Sequence, residues 1–227
     1  MRVAVVVPVL DEEARLPARL DELSRGAFDE ITIADGGSTD RSVAIARARP
    51  GVRVVLASRG RGRQLNVGAA ATSADVLLFL HADTVLPGDA RAWIERALSD
   101  ADVVAGAFRI RTVADDGRNW LGPFLRLADV RSHVTRLPYG DQALFVRRTA
   151  FDAVGGFPDE PLMEDVDLAR KLRAIGRVVT VPAYVRVSGR RFLRRPIASA
   201  LAMWTFPTLH RLGVPPRVLA RMYGDPR

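Results

Sequence analysis

The stretch Asp75–Val85, which reads DVLLFLHADTV, decides how this chain folds. Its apolar run Val76–Leu80 is bounded by polar residues, and it predicts a strand buried on both faces of a parallel sheet. Open α/β sheets bind ligands beyond the carboxyl ends of their strands, so His81 and Asp83 are expected where such sheets do chemistry. The strand period of two directs these two side chains to one face and Ala82 to the other. A plain polar strand end that begins a turn is the alternative interpretation.

The composition is that of an ordinary globular protein, with 227 residues, 48% hydrophobic content and 26% charge. The chain has no cysteine, which excludes disulfides, thiolate metal sites and a cysteine nucleophile. The start of the sequence lacks the long apolar core of a signal peptide. No apolar stretch reaches the roughly 18 residues that a membrane span needs. These features predict one cytoplasmic domain.

The net charge of +8 is concentrated at the end of the chain. Between Arg186 and Arg227, nine arginines stand against a single acid, Asp225, and residues 1–185 are neutral overall. Basicity confined to a terminal segment is a weak argument for a nucleic-acid partner. We therefore expect no nucleic-acid binding.

Short β-branched runs alternate with helical patterns before the central strand, which predicts right-handed crossovers in a mainly parallel, Rossmann-like α/β sheet. The acids of Asp11–Glu13 are expected in the first turn of a helix whose Leu16, Leu20 and Leu23 face inward. Ser38 or Thr39 is expected to cap the second helix. The predicted strands are Arg2–Val9, Glu30–Ala34 and Val52–Ala57.

Ser58–Gly68, which reads SRGRGRQLNVG, predicts an Arg- and Gly-rich loop that leads into an alanine-rich helix. Arginines presented from a glycine loop at a helix start are well placed to hold phosphate oxygens. Arg59 and Arg63 are the candidates for such contacts. A solvated loop without a ligand is the alternative.

The second half of the chain continues the α/β pattern. Val103–Arg111 predicts a strand at the sheet edge, and Asn119–Val134 predicts an amphipathic packing segment. The acids at Glu164 begin a predicted helix. Further strands are predicted at Ala143–Arg147 and Arg177–Val187. With no repeats and no low-complexity linker, the sequence predicts a domain over residues 1–189 and an appendage over residues 190–227.

The appendage pairs the basic RRFLRR with an apolar segment that contains Met203, Trp204 and Phe206. Arginines that flank apolar residues are typical of an interfacial helix on an anionic membrane, which would place the protein at the inner face of the membrane. Packing of the helix on the domain or on a second subunit, as in a homodimer, is the equal alternative.

Four motifs in this order resemble family 2 glycosyltransferases of the GT-A fold, over roughly residues 1–190. They are VPVLDEE at 7–13, ADGGSTD at 34–40, LHAD at 80–83 and MEDVD at 163–167. The HAD motif together with Gly140-Asp141-Gln142 resembles a small bacterial subgroup. One branch of that subgroup is linked to arsenosugar biosynthesis.

The resemblance implies transfer of a sugar from a UDP- or GDP-linked donor to an acceptor hydroxyl, with inversion. It implies that Asp165, or else Glu164, is the general base, and that Asp83 binds Mg²⁺ or Mn²⁺ on the diphosphate. His81, Asp141 and Gln142 would contact the donor sugar or the acceptor. Residues implied to bind the donor nucleotide are Pro8, Leu10, Glu12, Asp35, Arg59, Arg63, Ala82 and Asp83.

Two departures from the family pattern matter. His81 replaces the usual first aspartate of the DXD motif, and Gly36 replaces the usual second aspartate of the DDGS turn. The loss of a carboxylate predicts a weakly bound or exchangeable metal. His81 is left with three roles, which are metal ligation, a bond to the donor sugar, and packing. Neither His133 nor His210 can be assigned as the later histidine that often completes the metal shell.

Three other functions compete with this interpretation. A nucleotidyltransferase or a dinucleotide dehydrogenase should show a glycine-rich loop directly after the first strand, where this chain has Leu10–Glu13. A non-catalytic nucleotide-sugar-binding module is compatible with His81 and Gly36. The joint presence of Asp83, Glu164 and Asp165 argues against such a module.

Overall fold

A computed structural model describes residues 1–113, 138, 140–189 and 196–224. The predicted amphipathic segment Asn119–Val134, which includes His133, lies outside the described residues, as does the basic run 190–195. Within the described part of the chain, strands and helices alternate through most of the sequence, and two helices close it.

The described strands are β1 Val3–Val9, β2 Glu30–Asp35, β3 Val52–Leu56, β4 Val76–Phe79, β5 Thr84–Val85, β6 Val103–Val113, β7 Phe145–Arg147 and β8 Arg177–Ser188. The described helices are α1 Leu16–Arg25, α2 Ser42–Arg47, α3 Arg61–Ala70, α4 Ala90–Ala97, α5 Arg148–Ala153, α6 Glu164–Ile175, α7 Pro196–Arg211 and α8 Pro216–Tyr223, and a 3₁₀ turn spans Gly140–Gln142.

The eight described strands form one sheet in the order β3-β2-β1-β4-β7-β6-β8-β5. The pairs β1–β2, β2–β3, β1–β4 and β6–β8 are parallel. β7 runs antiparallel to β4 and β6, and β5 runs antiparallel to β8. The start of β7 therefore lies at the same edge as the carboxyl ends of β1, β2, β4 and β6.

Strand β4 is buried on both faces, as its apolar run predicts. Leu78 packs with α1 and α4 in one core layer, and Leu77 and Phe79 pack with α3, α5 and α6 in the other. Alternate residues of the strand thus feed two separate cores. Leu16, Leu20 and Leu23 of α1 face the first core, which confirms their predicted orientation.

The prediction that Val103–Arg111 forms an edge strand is wrong. β6 lies between β7 and β8, and it continues to Val113. Phe108 is fully buried, because both faces of β6 are covered as far as this residue. The alternation from Phe108 onward, which suggested an edge, marks only the part of β6 that extends beyond β7.

Two expectations about helix starts are also wrong. Helix α1 begins at Leu16, so the acids of Asp11–Glu13 precede it and do not fill its first turn. Asp11 has a left-handed backbone (φ 52°), and its Oδ1 accepts the main-chain N–H of Thr39 at 2.8 Å. Helix α2 begins at Ser42 without a side-chain cap, and Ser38 Oγ accepts the N–H of Asp11 at 3.0 Å. These polar residues tie two loops together instead of capping helices.

The Arg- and Gly-rich segment is shorter as a loop than predicted. Helix α3 begins at Arg61, directly after Gly60, whose φ of 138° is available to glycine but strained for other residues. Arg61 and Arg63 are therefore helical residues, and only Arg59 lies in the loop.

The C-terminal helices α7 and α8 pack against the rest of the protein. Ala202, Phe206 and Leu219 form a small core with Leu162, which lies two residues before α6. His210 Nε2 lies 2.8 Å from Asp167 Oδ1 in the first turn of α6. Across the described residues, no helix combines the length and apolarity that a membrane crossing requires. The division at residue 189 stays a prediction.

Candidate functional site

The candidate site lies at the carboxyl edge of the sheet. Asp35 ends β2 opposite Val9 of β1, and the turn that contains His81 and Asp83 follows β4. The turn Gly140–Gln142 reaches the same edge, because it precedes the antiparallel strand β7. Residues far apart in sequence are thus placed along one edge.

The main chain at Gly140 lies against both the carboxylate of Asp165 and the imidazole of His81. Its N–H donates to Asp165 Oδ2 at 2.5 Å. A Cβ added at Gly140 would lie 3.1 Å from Asp165 Oδ2 and 3.1 Å from His81 Nε2. The absence of a side chain therefore lets a carboxylate and an imidazole approach the same point of the backbone. Asp165 keeps part of its surface exposed.

Glu164, the other predicted base, has a different environment. Its side chain is 2% exposed, and Arg61 Nε lies 2.9 Å from Glu164 Oε1. The contact lies outside hydrogen-bond geometry, so Oε1 has no hydrogen-bond partner. Burial raises the pKa of Glu164, which Arg61 opposes and the nearby Asp165 reinforces. The carboxylate of Glu164 is thus enclosed beside that of Asp165.

Arg61 is a site residue that the sequence reasoning missed. Glu164 raises the pKa of Arg61, and Asp165 and Asp141 add to the effect. Three arginines occur in the segment SRGRGR, and nothing in the sequence distinguishes the one that faces the carboxylates. Only the start of α3 after Gly60 decides it, because it sets the direction of each side chain.

The two arginines that are predicted to hold the diphosphate are Arg59 and Arg63, and not Arg61, which pairs with Glu164. Arg63 makes a bidentate pair with Asp159, with Nε–Oδ1 at 2.5 Å and Nη2–Oδ2 at 2.7 Å. Arg59 is exposed in the loop before α3. Their contact with a diphosphate stays a prediction.

The residues of β1 and β2 that are predicted to bind the donor nucleotide lie at the ends of these strands. Asp35 is 2% exposed, and its Oδ2 accepts the N–H groups of Gly37 at 2.9 Å and Ser38 at 3.1 Å. Pro8 and Leu10 are partly buried at the end of β1, and Glu12 Oε2 pairs with Arg15 at 3.3 Å. The structure brings these side chains to one end of the sheet.

Gln64 explains why Gly36 departs from the family pattern. Its buried amide donates from Nε2 to the carbonyl oxygens of Val9 at 2.8 Å and Ala34 at 2.9 Å. A Cβ at Gly36 would lie 2.8 Å from Gln64 Cδ. The space that an aspartate would need at position 36 is therefore filled by an amide that links β1 and β2. Sequence reasoning missed Gln64, which carries no motif of its own.

Two charged residues of α1 hydrogen-bond to the main chain of the segment that follows β4. Arg19 is 6% exposed, donates from Nε to the carbonyl of Ala82 at 3.3 Å, and pairs with Glu22. Glu22 Oε1 accepts the N–H of Leu86 at 2.7 Å. Burial lowers the pKa of Arg19, and Glu22 and Asp83 oppose this effect. The Arg19–Glu22 ion pair, whose members are one helical turn apart, thus hydrogen-bonds to the main chain on both sides of Asp83.

The two remaining predicted residues follow Gly140. Gln142 is 1% exposed, and its Nε2 donates to the carbonyl of Phe108 at 3.0 Å, which fixes the turn to β6. Asp141 lies near enough to Arg61 to raise its pKa. Gln142 is therefore a buried residue that fixes the turn to β6, and Asp141 lies near Arg61.

A family model for glycosyl transferase family 2 matches residues 4–157. The chain belongs to this family. A glucosyl-3-phosphoglycerate synthase of Mycobacterium tuberculosis is 34% identical over 97 residues, which cover 37% of this chain and 30% of that protein. An undecaprenyl-phosphate 4-deoxy-4-formamido-L-arabinose transferase of Pseudomonas aeruginosa is 32% identical over 166 residues, which cover 67% and 49%. The chain thus spans about half or less of the length of these relatives.

Solved structures of glycosyltransferases share the fold. A mannosyltransferase of Pyrobaculum calidifontis in complex with GDP-Man and Mn²⁺ superposes with a TM-score of 0.64 at 21% identity, over 98% of this chain and 68% of that chain. A glucosyl-3-phosphoglycerate synthase of M. tuberculosis with Mn²⁺, UDP and phosphoglyceric acid gives 0.61 at 24% identity, over 94% and 79%. The GT-A fold predicted for this family 2 member is confirmed.

The family implies a divalent metal, and the described residues offer it one predicted ligand, the carboxylate of Asp83. Among the described residues, no group of three or more potential ligands lies together. Asp83 offers one carboxylate in the turn after β4. Mg²⁺ commonly binds through one or two carboxylates together with substrate phosphates and water. The residues fit an ion that is held jointly with a diphosphate.

Proposed function

We propose that this chain transfers a sugar from a nucleoside-diphosphate sugar, UDP- or GDP-linked, to an acceptor hydroxyl with inversion. The observation that carries the proposal is the junction of Asp165 and His81 at Gly140, at the sheet edge that also holds Asp35 and Asp83. Solved relatives of the same fold contain GDP-Man or UDP together with Mn²⁺. A carboxylate placed beside a nucleotide-sugar site is the arrangement that base-assisted transfer requires.

Asp165 is the proposed base. The acceptor oxygen forms a bond to the anomeric carbon as the bond from that carbon to the diphosphate oxygen breaks. The acceptor proton passes to a carboxylate oxygen of Asp165, and the diphosphate leaves with the electron pair. Glu164 is enclosed against Arg61, so we assign it a positioning role. His81, at the same junction, would hydrogen-bond the donor sugar or the acceptor.

The donor would lie along the ends of β1, β2 and β4. Asp35 would contact the base or ribose beside Pro8, Leu10 and Glu12, with Ala82 behind the turn. Asp83 would hold Mg²⁺ or Mn²⁺, which supplies positive charge to the diphosphate when bound. Arg59 and Arg63 would reach the diphosphate after Arg63 releases Asp159. Asp141 and Gln142 would border the sugar.

The test is a panel of nucleotide sugars with Mn²⁺ or Mg²⁺, followed by release of UDP or GDP. Asp165→Asn is expected to lower kcat by roughly 10²- to 10⁴-fold, because it removes the proton acceptor and keeps the side-chain shape. The matched control is Asp152→Asn, an exposed aspartate on α5. If nucleotide binds but nothing turns over, and Asp165→Asn changes nothing, the chain is a binding module instead.

We also propose that α7 and α8 rest on an anionic membrane at the cytoplasmic face. The two helices pack on the protein through Ala202, Phe206 and Leu219. Exposed apolar residues on the helices and on the link between them are Leu201, Trp204, Leu212, Val218 and Met222. Arg211, Arg217 and Arg221 lie on the same two helices, and residues 196–224 contain no acid. Exposed apolar residues with arginines and no acids complement an anionic lipid surface.

Sedimentation with phosphatidylglycerol vesicles tests the membrane proposal. Leu212→Glu, at a residue 76% exposed, is expected to release the protein from the vesicles without lowering its Tm. Arg47→Glu on α2 is the control. If the full chain never sediments, the proposal fails. If light scattering shows a dimer that Leu212→Glu dissociates, the apolar face is a homodimer contact.

Membership of the small bacterial subgroup, with its branch linked to arsenosugar biosynthesis, is supported by one contact. The HAD turn meets Gly140 of the GDQ motif at His81. The two motifs of that subgroup would therefore act as one unit. The assignment to the branch stays a prediction.

A further inference from the structure

A group of basic side chains outside the proposed donor site lies where β6 and β8 extend beyond β7. We call it the basic ladder and define it as the three arginines Arg109, Arg111 and Arg186 together with the aromatic Tyr184. In the parallel pairing of these strands, Arg109 lies opposite Tyr184 and Arg111 lies opposite Arg186. The intervening Ile110 and Val185 are buried in the first core layer, so all four members of the basic ladder lie on the other face of the sheet.

The charges of the basic ladder are not offset by the strands that carry it. β6 and β8 contain no acidic residue. Among the described residues, no carboxylate forms an ion pair with the guanidinium of Arg109, Arg111 or Arg186. Like charges directly opposite each other in a sheet are destabilising. The Arg111–Arg186 pair therefore weakens the fold while it concentrates positive charge.

An aromatic ring organises the arginines. The guanidinium carbons of Arg109 and Arg111 lie 6.0 Å and 5.4 Å from the ring centre of Tyr184. Such cation–π contacts hold the arginine planes without using their N–H donors. The contact therefore leaves the N–H donors of both arginines able to bind an anion.

The basic ladder adjoins the proposed site. β5, which directly follows Asp83, pairs with β8, and the N–H of Ser188 donates to the carbonyl of Asp83 at 3.3 Å. Arg19 is close enough to both Asp83 and Arg186 for each to influence its pKa, although burial has the largest effect. β6 lies two strands from β4, which is about 10 Å. Val85 of β5 lies opposite Arg186 in this pairing, so it shares a sheet face with the basic ladder.

We propose that the basic ladder binds an acidic group of the acceptor, a phosphate monoester or a carboxylate. The proposal rests on the proposed function, because it assigns the ladder to the acceptor side of the same site. Guanidinium groups bind both oxyanions through paired N–H donors. A phosphate monoester carries about −1.5 to −2 at neutral pH and offsets more of the three positive charges than a carboxylate does. The donor diphosphate is expected on the other side of Asp83, toward β1 and β2.

The test is calorimetric titration of the full chain, saturated with Mg²⁺ and whichever of UDP or GDP binds, with inorganic phosphate and separately with acetate. Arg111→Gln and Arg186→Gln are expected to weaken phosphate binding about tenfold each, because each removes a charge-assisted contact. The Tm of Arg186→Gln is expected to equal or exceed that of the wild type, because it removes one of two opposed charges. The Tm of Arg111→Gln is expected to stay close to the wild-type value, because this variant also loses the contact with Tyr184. A variant that had lost its structure would show a clearly lower Tm.

Arg177→Gln is the matched control, because it removes an exposed arginine at the far end of β8 that pairs with Asp100. An equal loss of phosphate binding in this control would overturn the proposal in favour of general electrostatics. Competition between phosphate and the nucleotide would overturn it in favour of a diphosphate contact. Binding to phosphatidylglycerol vesicles that requires Arg111, without binding of free phosphate, would overturn it in favour of a lipid surface.

The same titration separates this inference from the proposed function. If phosphate binds and depends on Arg111 while no nucleotide sugar turns over, the anion site stands and the transferase proposal fails. If transfer occurs and depends on Asp165 while neither phosphate nor acetate binds, the transferase proposal stands and the basic ladder has no acceptor role.

Discussion

The donor side and the acceptor side of the sheet treat polar groups in opposite ways. At the ends of β1 and β2, Asp35 accepts two main-chain N–H groups, and Gln64 donates to two carbonyl oxygens. In the basic ladder, Arg111 and Arg186 face each other with like charge. The first arrangement stabilises the fold and fixes the site at once. In the second arrangement the positive charge is available for binding, but the repulsion between the arginines lowers the stability of the fold. Substitutions should therefore have opposite signs on the two sides.

The largest effect on stability is expected at the ion pair between Arg61 and the buried Glu164. Arg61→Met should lower the free energy of unfolding by about 3 kcal/mol, because it leaves a buried carboxylate without its cation. Urea unfolding at neutral pH measures the change. Arg63→Met is the control, since its pair with Asp159 is exposed and the expected loss is below about 1 kcal/mol. Equal losses in the two variants would contradict the buried pair.

Gly36→Ala should lower the free energy of unfolding by about 1–3 kcal/mol. The added methyl would lie 2.8 Å from Gln64 Cδ and would displace an amide that satisfies two carbonyl oxygens. Gly88→Ala serves as control, because nothing lies within 4 Å of its added Cβ. The double variant Gly36→Ala/Gln64→Ala should lose less than the sum of the single variants, which a thermodynamic cycle measures. Strict additivity would show that the two positions are independent.

A pH series sharpens the same comparison at Glu164. Burial raises its pKa above the ordinary value of 4.5, so the folded state binds the proton more tightly than the unfolded state does. The stability that this proton provides is present below pH 4.5 and is lost as the pH rises through the raised pKa. Glu164→Gln stays neutral, so its stability relative to the wild type should increase across that window. Thermal unfolding from pH 4 to pH 8 measures the trend, and a constant difference would contradict it.

The smallest effect is expected in the basic ladder, with the opposite sign. Arg186→Gln should raise the free energy of unfolding by about 0.2–1 kcal/mol, because it removes one of two like charges that face each other and leaves the contacts of Arg109 and Arg111 with Tyr184 in place. Added salt should shrink the gain, since it screens exposed charges. A loss of stability at low salt would show that Arg186 stabilises the fold, as Arg61 does.

Much of the donor side follows from the sequence alone. The apolar run of β4 is long and bounded, so its burial was predictable from the pattern. The strand ends at Phe79, so the strand period does not set the side-chain directions of His81 and Asp83, which follow it. The start of α6 at Glu164 was equally predictable, since acids precede a clear helical pattern. Both predictions rest on short-range patterns, which the fold then places at one edge.

The remaining features depend on long-range contacts that the sequence does not display. Asp11 resembles a first-turn acid, but it binds the loop of Thr39, 28 residues away. Arg61 is one of three similar arginines until the start of α3 sets its direction. The burial of β6 depends on β8, which lies about 75 residues further along the chain. The sequence therefore predicts which chemistry is present more readily than which side chain performs it.

The contact between Gly36 and Gln64 has a consequence for engineering. A DDGS turn grafted from another member of the family would bring an aspartate into space that the α3 amide already fills. Such a chimera would need position 64 exchanged together with the turn, although 28 residues separate the two. Loop transplants among family 2 enzymes should therefore move this turn and the first turns of the third helix as one cassette.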